Sequence, residues 1–213
     1  MMNFYLVSGL VLAYLIGSIP TSVWIGRVFH GIDVRQKGSG NAGATNTIRV
    51  LGWKAGVPVL LFDVFKGWFA VYMINFLPLE FTGVSFMVWA KIALAASAVL
   101  GHIFPVYIGF KGGKGVATLL GVGIALYPVA VWFVVLLFVL VLLLSRIVSL
   151  SSVIASVSFP LIVILFDFTG HLSLIILSVA VGVFVPLTHL SNIKRLLKGE
   201  EKPFSWRRKS SDS

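Results

Sequence analysis

The sequence predicts an all-α polytopic integral membrane protein of about seven spans, with its N-terminus outside and its C-terminus in the cytoplasm. Three observations predict it. Hydrophobic residues make up 58% of the 213-residue chain and charged residues only 11%, against roughly a quarter charged in a soluble domain; mean hydropathy is +1.02. Windows free of Asp, Glu, Lys and Arg recur at 4–26, 115–145 and 147–166, and a helix needs about 20 such residues to cross the hydrocarbon core. Basic residues gather in short loops, where lysine and arginine mark the cytoplasmic side.

The elements follow in order from that rule. The first window lacks a basic leader before Phe4 and a small-x-small cleavage site, so it reads as a retained first span and not as a secretory signal. Arg27, Arg35, Lys37, Arg49 and Lys54, against Asp33 alone, make the next loop cytoplasmic. A second span at about 55–77 leads to a turn at 75–85 that holds Glu80 and no basic residue, hence external. A third at about 86–107 returns the chain to Lys111 and Lys114, inside. Residues 115–145 as one straight helix would reach roughly 46 Å against a core near 30 Å. Tyr127-Pro128 supplies a break, giving a short fourth helix at 116–126 and a full fifth at 129–145, with Arg146 inside. A sixth span at 151–166 ends in an external turn at 167–170, and a seventh at 172–190 delivers Lys194 and Arg195 to the cytoplasm. Fusing the fourth helix to the fifth leaves five or six spans as the alternative.

These spans form one membrane domain over 1–204, with a basic polar tail expected to be flexible over 205–213. The formal net charge of +10 lies almost wholly in loops, so it bears on orientation and anionic lipid surfaces and does not point to nucleic acid. Trp206, Arg207, Arg208 and Lys209 would lie against headgroups or form a tail without a specific role. The absence of cysteine excludes disulfides, a thiolate nucleophile and an enzyme thioester. No His or carboxylate spacing suggests a metal, and no cofactor is implied.

Three segments on the cytoplasmic face concentrate glycine and polar residues. In KGSGNAGATNTIR (37–49), Gly38, Gly40 and Gly43 leave backbone amides exposed, Ser39, Asn41, Thr45 and Asn46 add small hydrogen-bonding groups, and Arg49 adds a planar cation. Such a set suits a phosphate, although a glycine-rich connector with a snorkelling arginine would read the same way. Ser39 has no adjacent histidine to activate it and is more credible as a donor to substrate than as a nucleophile. In GHIFPVYIGFKGGKGVAT (101–118), Lys111 and Lys114 flank Gly112 and Gly113 just before the fourth helix. Free N-terminal amides, the helix dipole and two ammoniums should converge there on an anion, the alternative being two ordinary interfacial lysines. It is not a nucleotide-hydrolysing phosphate loop, because Ile108 stands where the first glycine belongs and Gly115 replaces the magnesium-binding hydroxyl. His102 would more often be a hydrogen-bonded helix histidine than a base. In HLSNIKRLLKGEE (189–201), His189 and Asn192 are expected on one helix face, able to grip a hydroxyl or phosphate or simply to serve structure. Lys194 and Arg195 are headgroup anchors, and Glu200 and Glu201 pair with the nearby cations and fix the tail. In the second span Asp63 and Lys66, at i and i+3, read as an ion pair facing the bundle; Lys91 has no evident role.

Together, GSGNAGATN with a following arginine, FKGGKGVAT preceded by GHIFPV, and HLSNIKRLLKGEE resemble the PlsY family of bacterial membrane acyltransferases, in order and over almost the whole chain. The resemblance implies a seven-helix fold in the bacterial plasma membrane. It also implies an active site facing the cytoplasm and transfer of a fatty acyl group from acyl phosphate to glycerol 3-phosphate. On that footing Ser39, Arg49, Lys114, His189 and Asn192 bind and polarise the reacting groups. Gly38, Gly40, Asn41, Thr45, Asn46, His102, Lys111, Gly112, Gly113 and Gly115 shape the substrate site. The partners implied are the two substrates, membrane lipids, and transient contact with a soluble enzyme that forms acyl phosphate.

The residues agree with this from another direction. The His-x4-Asp dyad of another broad glycerophosphate acyltransferase class is absent, since Arg35, Tyr107, Ile176 and Lys194 stand five after the four histidines. An acyl phosphate already carries a good leaving group, so proximity and electrostatic stabilisation suffice without a strong protein base or an acyl-enzyme. The rival readings are a carrier for a phosphorylated metabolite and a noncatalytic scaffold.

Overall fold

The computed structural model describes residues 2–79, 83–166 and 170–204. The expected external positions Glu80 and 167–169, and the tail from 205, lie outside the described residues. Within them the chain is all helical: α1 (Met2–Gly17), α2 (Thr21–His30), α3 (Ala44–Leu51), α4 (Trp53–Tyr72), α5 (Val84–Ile103), α6 (Val116–Leu126), α7 (Ala130–Ser145), α8 (Val148–Phe166), α9 (Leu172–Thr188) and α10 (Leu190–Leu197). Among the described residues four stretches are long and apolar enough to cross a membrane, namely Phe4–His30, Trp53–Phe76, Val84–Ile108 and Val148–Phe166. The bent pair α9–α10 makes a fifth, whereas α6 and α7 are shorter apolar helices. The protein is an all-α polytopic membrane protein.

Several boundaries move for local reasons. The first window is two helices, because Pro20 cannot continue α1's hydrogen-bond ladder and starts α2 instead. α5 stops at Ile103, before 107, since Phe104 precedes Pro105 and is steered out of the helical region. α8 begins at Val148, because the turn after α7 is a single residue pair: Arg146 adopts a left-handed conformation and returns its amide to Leu142. The last helix does not run to residue 190. It breaks at His189, whose amide bonds to the Pro186 carbonyl, and α10 leaves at 62° to α9. His189 therefore caps α10, its carbonyl accepting the Ile193 amide at 2.8 Å, and it lines the same cavity as Asn192 three residues on.

Packing divides the molecule into α1–α6 and α7–α9. α4 lies along α6 and α1 along α5, while α8 is flanked by α7 and α9. The α4–α6 contact is backbone-close: a methyl on Gly67 would strike the Thr118 carbonyl and one on Gly121 the Val64 carbonyl. Small residues at such contacts are how helices associate where lipid removes the hydrophobic drive. This contact sets the N-terminus of α6 against the middle of α4. A cavity opens between the two groups of helices.

Candidate active site

The first glycine segment is shaped from α3. The Asn46 side chain is almost fully buried; its Oδ1 accepts the Ser39 amide at 2.7 Å, and its Nδ2 donates to the carbonyls of Val34 at 2.8 Å and Lys37 at 3.1 Å. Gly38 and Gly40 turn around it with φ of 64° and 75°, a region costly for other residues. Asn46 lines the cavity, but its amide is spent on the loop, so it positions Ser39. Asp33 ties this loop to the next. It holds Arg35 at 2.7 Å, and Arg35 Nη1 donates to the carbonyls of Ile108 at 2.9 Å and Lys111 at 3.3 Å. The hydrogen bond from Arg35 keeps the Asp33 carboxyl far below the usual carboxylate range.

The second segment corrects two expectations. The Gly112 and Gly113 amides are not free: they donate to the Ile103 carbonyl at 3.0 Å and the His102 carbonyl at 3.1 Å, capping the end of α5. The glycines are needed for close approach, since a Cβ on Gly113 would collide with the His102 imidazole. Lys111 is exposed and outside the cavity lining, so the two ammoniums do not converge. Lys114 alone points in, and its ammonium donates to Asn192 Oδ1. Burial is the main force lowering its pKa to about 8; the Glu201 charge opposes the shift, and Arg195 and Arg49 add to it.

The third segment completes the cluster. His189 Nδ1 lies 2.8 Å from the Val185 carbonyl, which only accepts, so Nδ1 carries the proton and Nε2 of the neutral ring is left as the acceptor. Asn192 Nδ2 donates to Glu201 Oε1 at 2.6 Å. Ser149 from α8 donates to the same oxygen at 2.7 Å, and Arg195 Nε donates to Oε2 at 2.7 Å. Burial pushes the Glu201 carboxyl up, but the bonds from Asn192, Ser149 and Arg195 outweigh it and hold it below its ordinary value. Glu201 is thus the hub that joins α8, α10 and, through Asn192, Lys114. The sequence marked it only as a partner for cations.

All three segments open on one cavity of about 670 Å³. Ser39, Asn41, Thr45, Arg49, His102, Lys114, Gly115, His189 and Asn192 line its polar end together with Gly38 and Asn46. Its other end is hydrocarbon from α6, α7, α8 and α9, including Leu119, Val134, Phe138 and Phe159. Gly40, Lys111, Gly112 and Gly113 are not part of its lining; Gly112 faces a small polar pocket beside Asp63, Lys66 and His102. There the expected ion pair is present, with Lys66 Nζ 2.8 Å from Asp63 Oδ1 and donating to the Ile19 carbonyl at 3.2 Å. His102 Nδ1 stands 3.6 Å from the same carboxylate, a neighbour the sequence did not reveal. Among the described residues no group of three or more His, Asp or Glu could hold a metal ion.

A cavity with cationic and polar groups at one end and hydrocarbon at the other, inside a polytopic bundle, has the polarity of an amphiphile, which marks the class as a membrane protein with an amphipathic internal site. The family model described as glycerol-3-phosphate acyltransferase matches residues 7–199, and the chain belongs to that family. Relatives named glycerol-3-phosphate acyltransferase include those of Chlorobaculum tepidum, 42% identical over 94% of this chain and 97% of its own, and Fusobacterium nucleatum, 44% identical over 92% and 97%. The crystal structure of PlsY (YgiH), an integral membrane glycerol 3-phosphate acyltransferase in its glycerol 3-phosphate form, superposes with a TM-score of 0.83 at 36% identity, covering 94% of this chain and 96% of that one. Its lysophosphatidic acid form gives 0.79 at the same identity.

Proposed function

We propose that the protein transfers a fatty acyl group from acyl phosphate to glycerol 3-phosphate, releasing phosphate and 1-acylglycerol 3-phosphate, the first step of phospholipid synthesis. The observation that carries this reading is the single cavity that joins Arg49, Lys114, His189 and Asn192 to a hydrocarbon-lined interior. The glycerol hydroxyl attacks the acyl carbonyl, the new C–O ester bond forms, and the old carbonyl–oxygen bond breaks with its electron pair leaving on phosphate. The proton passes to His189 Nε2 or to a phosphate oxygen. Arg49 and Lys114 stabilise charge on the phosphates, Ser39 donates a hydrogen bond, and Asn192 orients Lys114; Gly38, Asn41, Thr45, His102 and Gly115 shape the substrate pocket. Gly40, Lys111, Gly112 and Gly113 support the loops from behind. No cofactor takes part.

The same reading places the seven apolar helical units across a bacterial plasma membrane with the N-terminus outside and the C-terminus inside. The active site then faces the cytoplasm, where a soluble acyl-phosphate-forming enzyme makes transient contact. Residues 1–204 act as one catalytic membrane domain and 205–213 as a basic tail. A donor comparison with purified protein tests the function: product and phosphate are expected from palmitoyl phosphate, and none from the coenzyme A or carrier-protein thioester. Saturable uptake of glycerol 3-phosphate into vesicles without phosphate release would mark a carrier instead.

A further inference from the structure

The hydrocarbon end of the cavity has a floor built differently from its walls. Along α8 the lining residues are Val148, Ser149, Ser152, Ala155 and Ser156, small side chains at helical spacing, and the series stops at Phe159. Beyond Phe159 no residue of α8 lines the cavity; Val163 is buried instead in a cluster with Leu126, Tyr127 and Leu174. The stop is braced. Tyr127, at the break between α6 and α7, meets the Phe159 ring edge-on at 4.9 Å, and its hydroxyl donates to the Leu174 carbonyl of α9 at 2.6 Å. The lining ends at the same level on the neighbouring helices, at Gly123 of α6 and Val131 of α7, whose amide bonds to the Tyr127 carbonyl at 3.1 Å.

The depth follows from helix geometry. Ser149, which bonds Glu201 at the polar end, lies ten residues before Phe159, a rise of about 15 Å. Gly115 to Gly123 gives about 12 Å in the same way. A zigzag of C–C bonds near 1.5 Å advances roughly 1.25 Å per carbon, so an extended chain of about ten to twelve carbons reaches the ring, and a longer one must bend against it.

We propose that Phe159, braced by Tyr127, is the specificity-determining residue for acyl chain length: its ring is the end stop of the acyl channel. This rests on the acyl-transfer reading above. The test is kcat/KM for a saturated series of acyl phosphates in two-carbon steps, measured on the purified full-length protein, on Phe159→Ala, and on Val181→Phe, which narrows the channel from α9. Phe159→Ala should raise the ratio of long-chain to short-chain kcat/KM, and Val181→Phe should lower it, each by roughly tenfold or more, the scale set by a methylene that gains or loses its place in an apolar pocket. If Phe159→Ala does not fold, Phe159→Leu provides the same readout with a smaller shift. Folded variants with the parent's chain-length profile would overturn the end stop alone. Absence of product at every length in the unaltered protein would overturn acyl transfer, and the end stop with it.

Discussion

Two ionic clusters lie at the large cavity, Asp63 being the one member of the Asp63–Lys66 pair that reaches its lining, and they are built for different purposes. Asp63 and Lys66 sit within the bundle at 2 and 1% exposure, with a salt bridge of 2.8 Å, a carbonyl on the ammonium and the imidazole beside the carboxylate. Lys114, Asn192, Glu201 and Arg195 form a chain of comparable bonds, but all four border the large cavity that Lys66 does not reach, and Arg195 remains substantially exposed. Removing one partner of the first cluster leaves an uncompensated charge on a side chain that is almost wholly buried, so the damage is to folding. In the second, water or a substrate phosphate replaces a lost partner, so the damage is to binding and rate. Similar bonds teach different lessons because solvent access differs.

The comparison can be broken by mutation. Lys66→Met should cost about 3–5 kcal/mol of stability, read as a lowered unfolding temperature, whereas Lys66→Met combined with Asp63→Asn should recover most of it; equal losses in single and double variants would show that the pair is not the issue. Lys114→Ala should lower kcat/KM by roughly 10²–10³, in line with loss of a group stabilising transition-state charge, while the unfolding temperature scarcely moves. Because burial lowers the Lys114 pKa to about 8, its charge is complete well below that value and is lost as pH rises through it. Affinity for glycerol 3-phosphate should therefore fall on the alkaline side, and Lys114→Arg should push that fall to higher pH, measured by KM against pH.

Glu201→Gln sharpens the contrast. The isostere keeps one acceptor for Asn192 or Ser149 but loses the Arg195 ion pair, and should cost about 1–2 kcal/mol, with a larger effect on KM than the Tm change alone explains if the hub orients Lys114 through Asn192. The smallest effect is expected from Arg27→Ala: its pairing with Asp33 at 2.9 Å is largely exposed and Arg35 already holds that carboxylate, so stability should change by about 0.5 kcal/mol or less. A large loss there would mean that surface pairing matters more than burial.

Much of this was legible from residues alone. Charge-free windows forced helices in lipid, Tyr127-Pro128 placed the break between α6 and α7, the i, i+3 spacing of Asp63 and Lys66 gave their pairing, and three polar segments marked the stretches that meet at one cavity. These depend on local chemistry: hydropathy, the proline ring, helical periodicity and the clustering of glycine with polar and basic residues can be read wherever they stand in the chain. What required the tertiary structure was every question of which group is left over. Asn46 spends its amide on its own loop, Gly112 and Gly113 give their amides to α5, Lys111 stays outside while Lys114 enters, and Glu201 gathers α8 and α10. A donor's availability is settled by which acceptors arrive beside it from distant parts of the chain, and that is decided only when the helices pack.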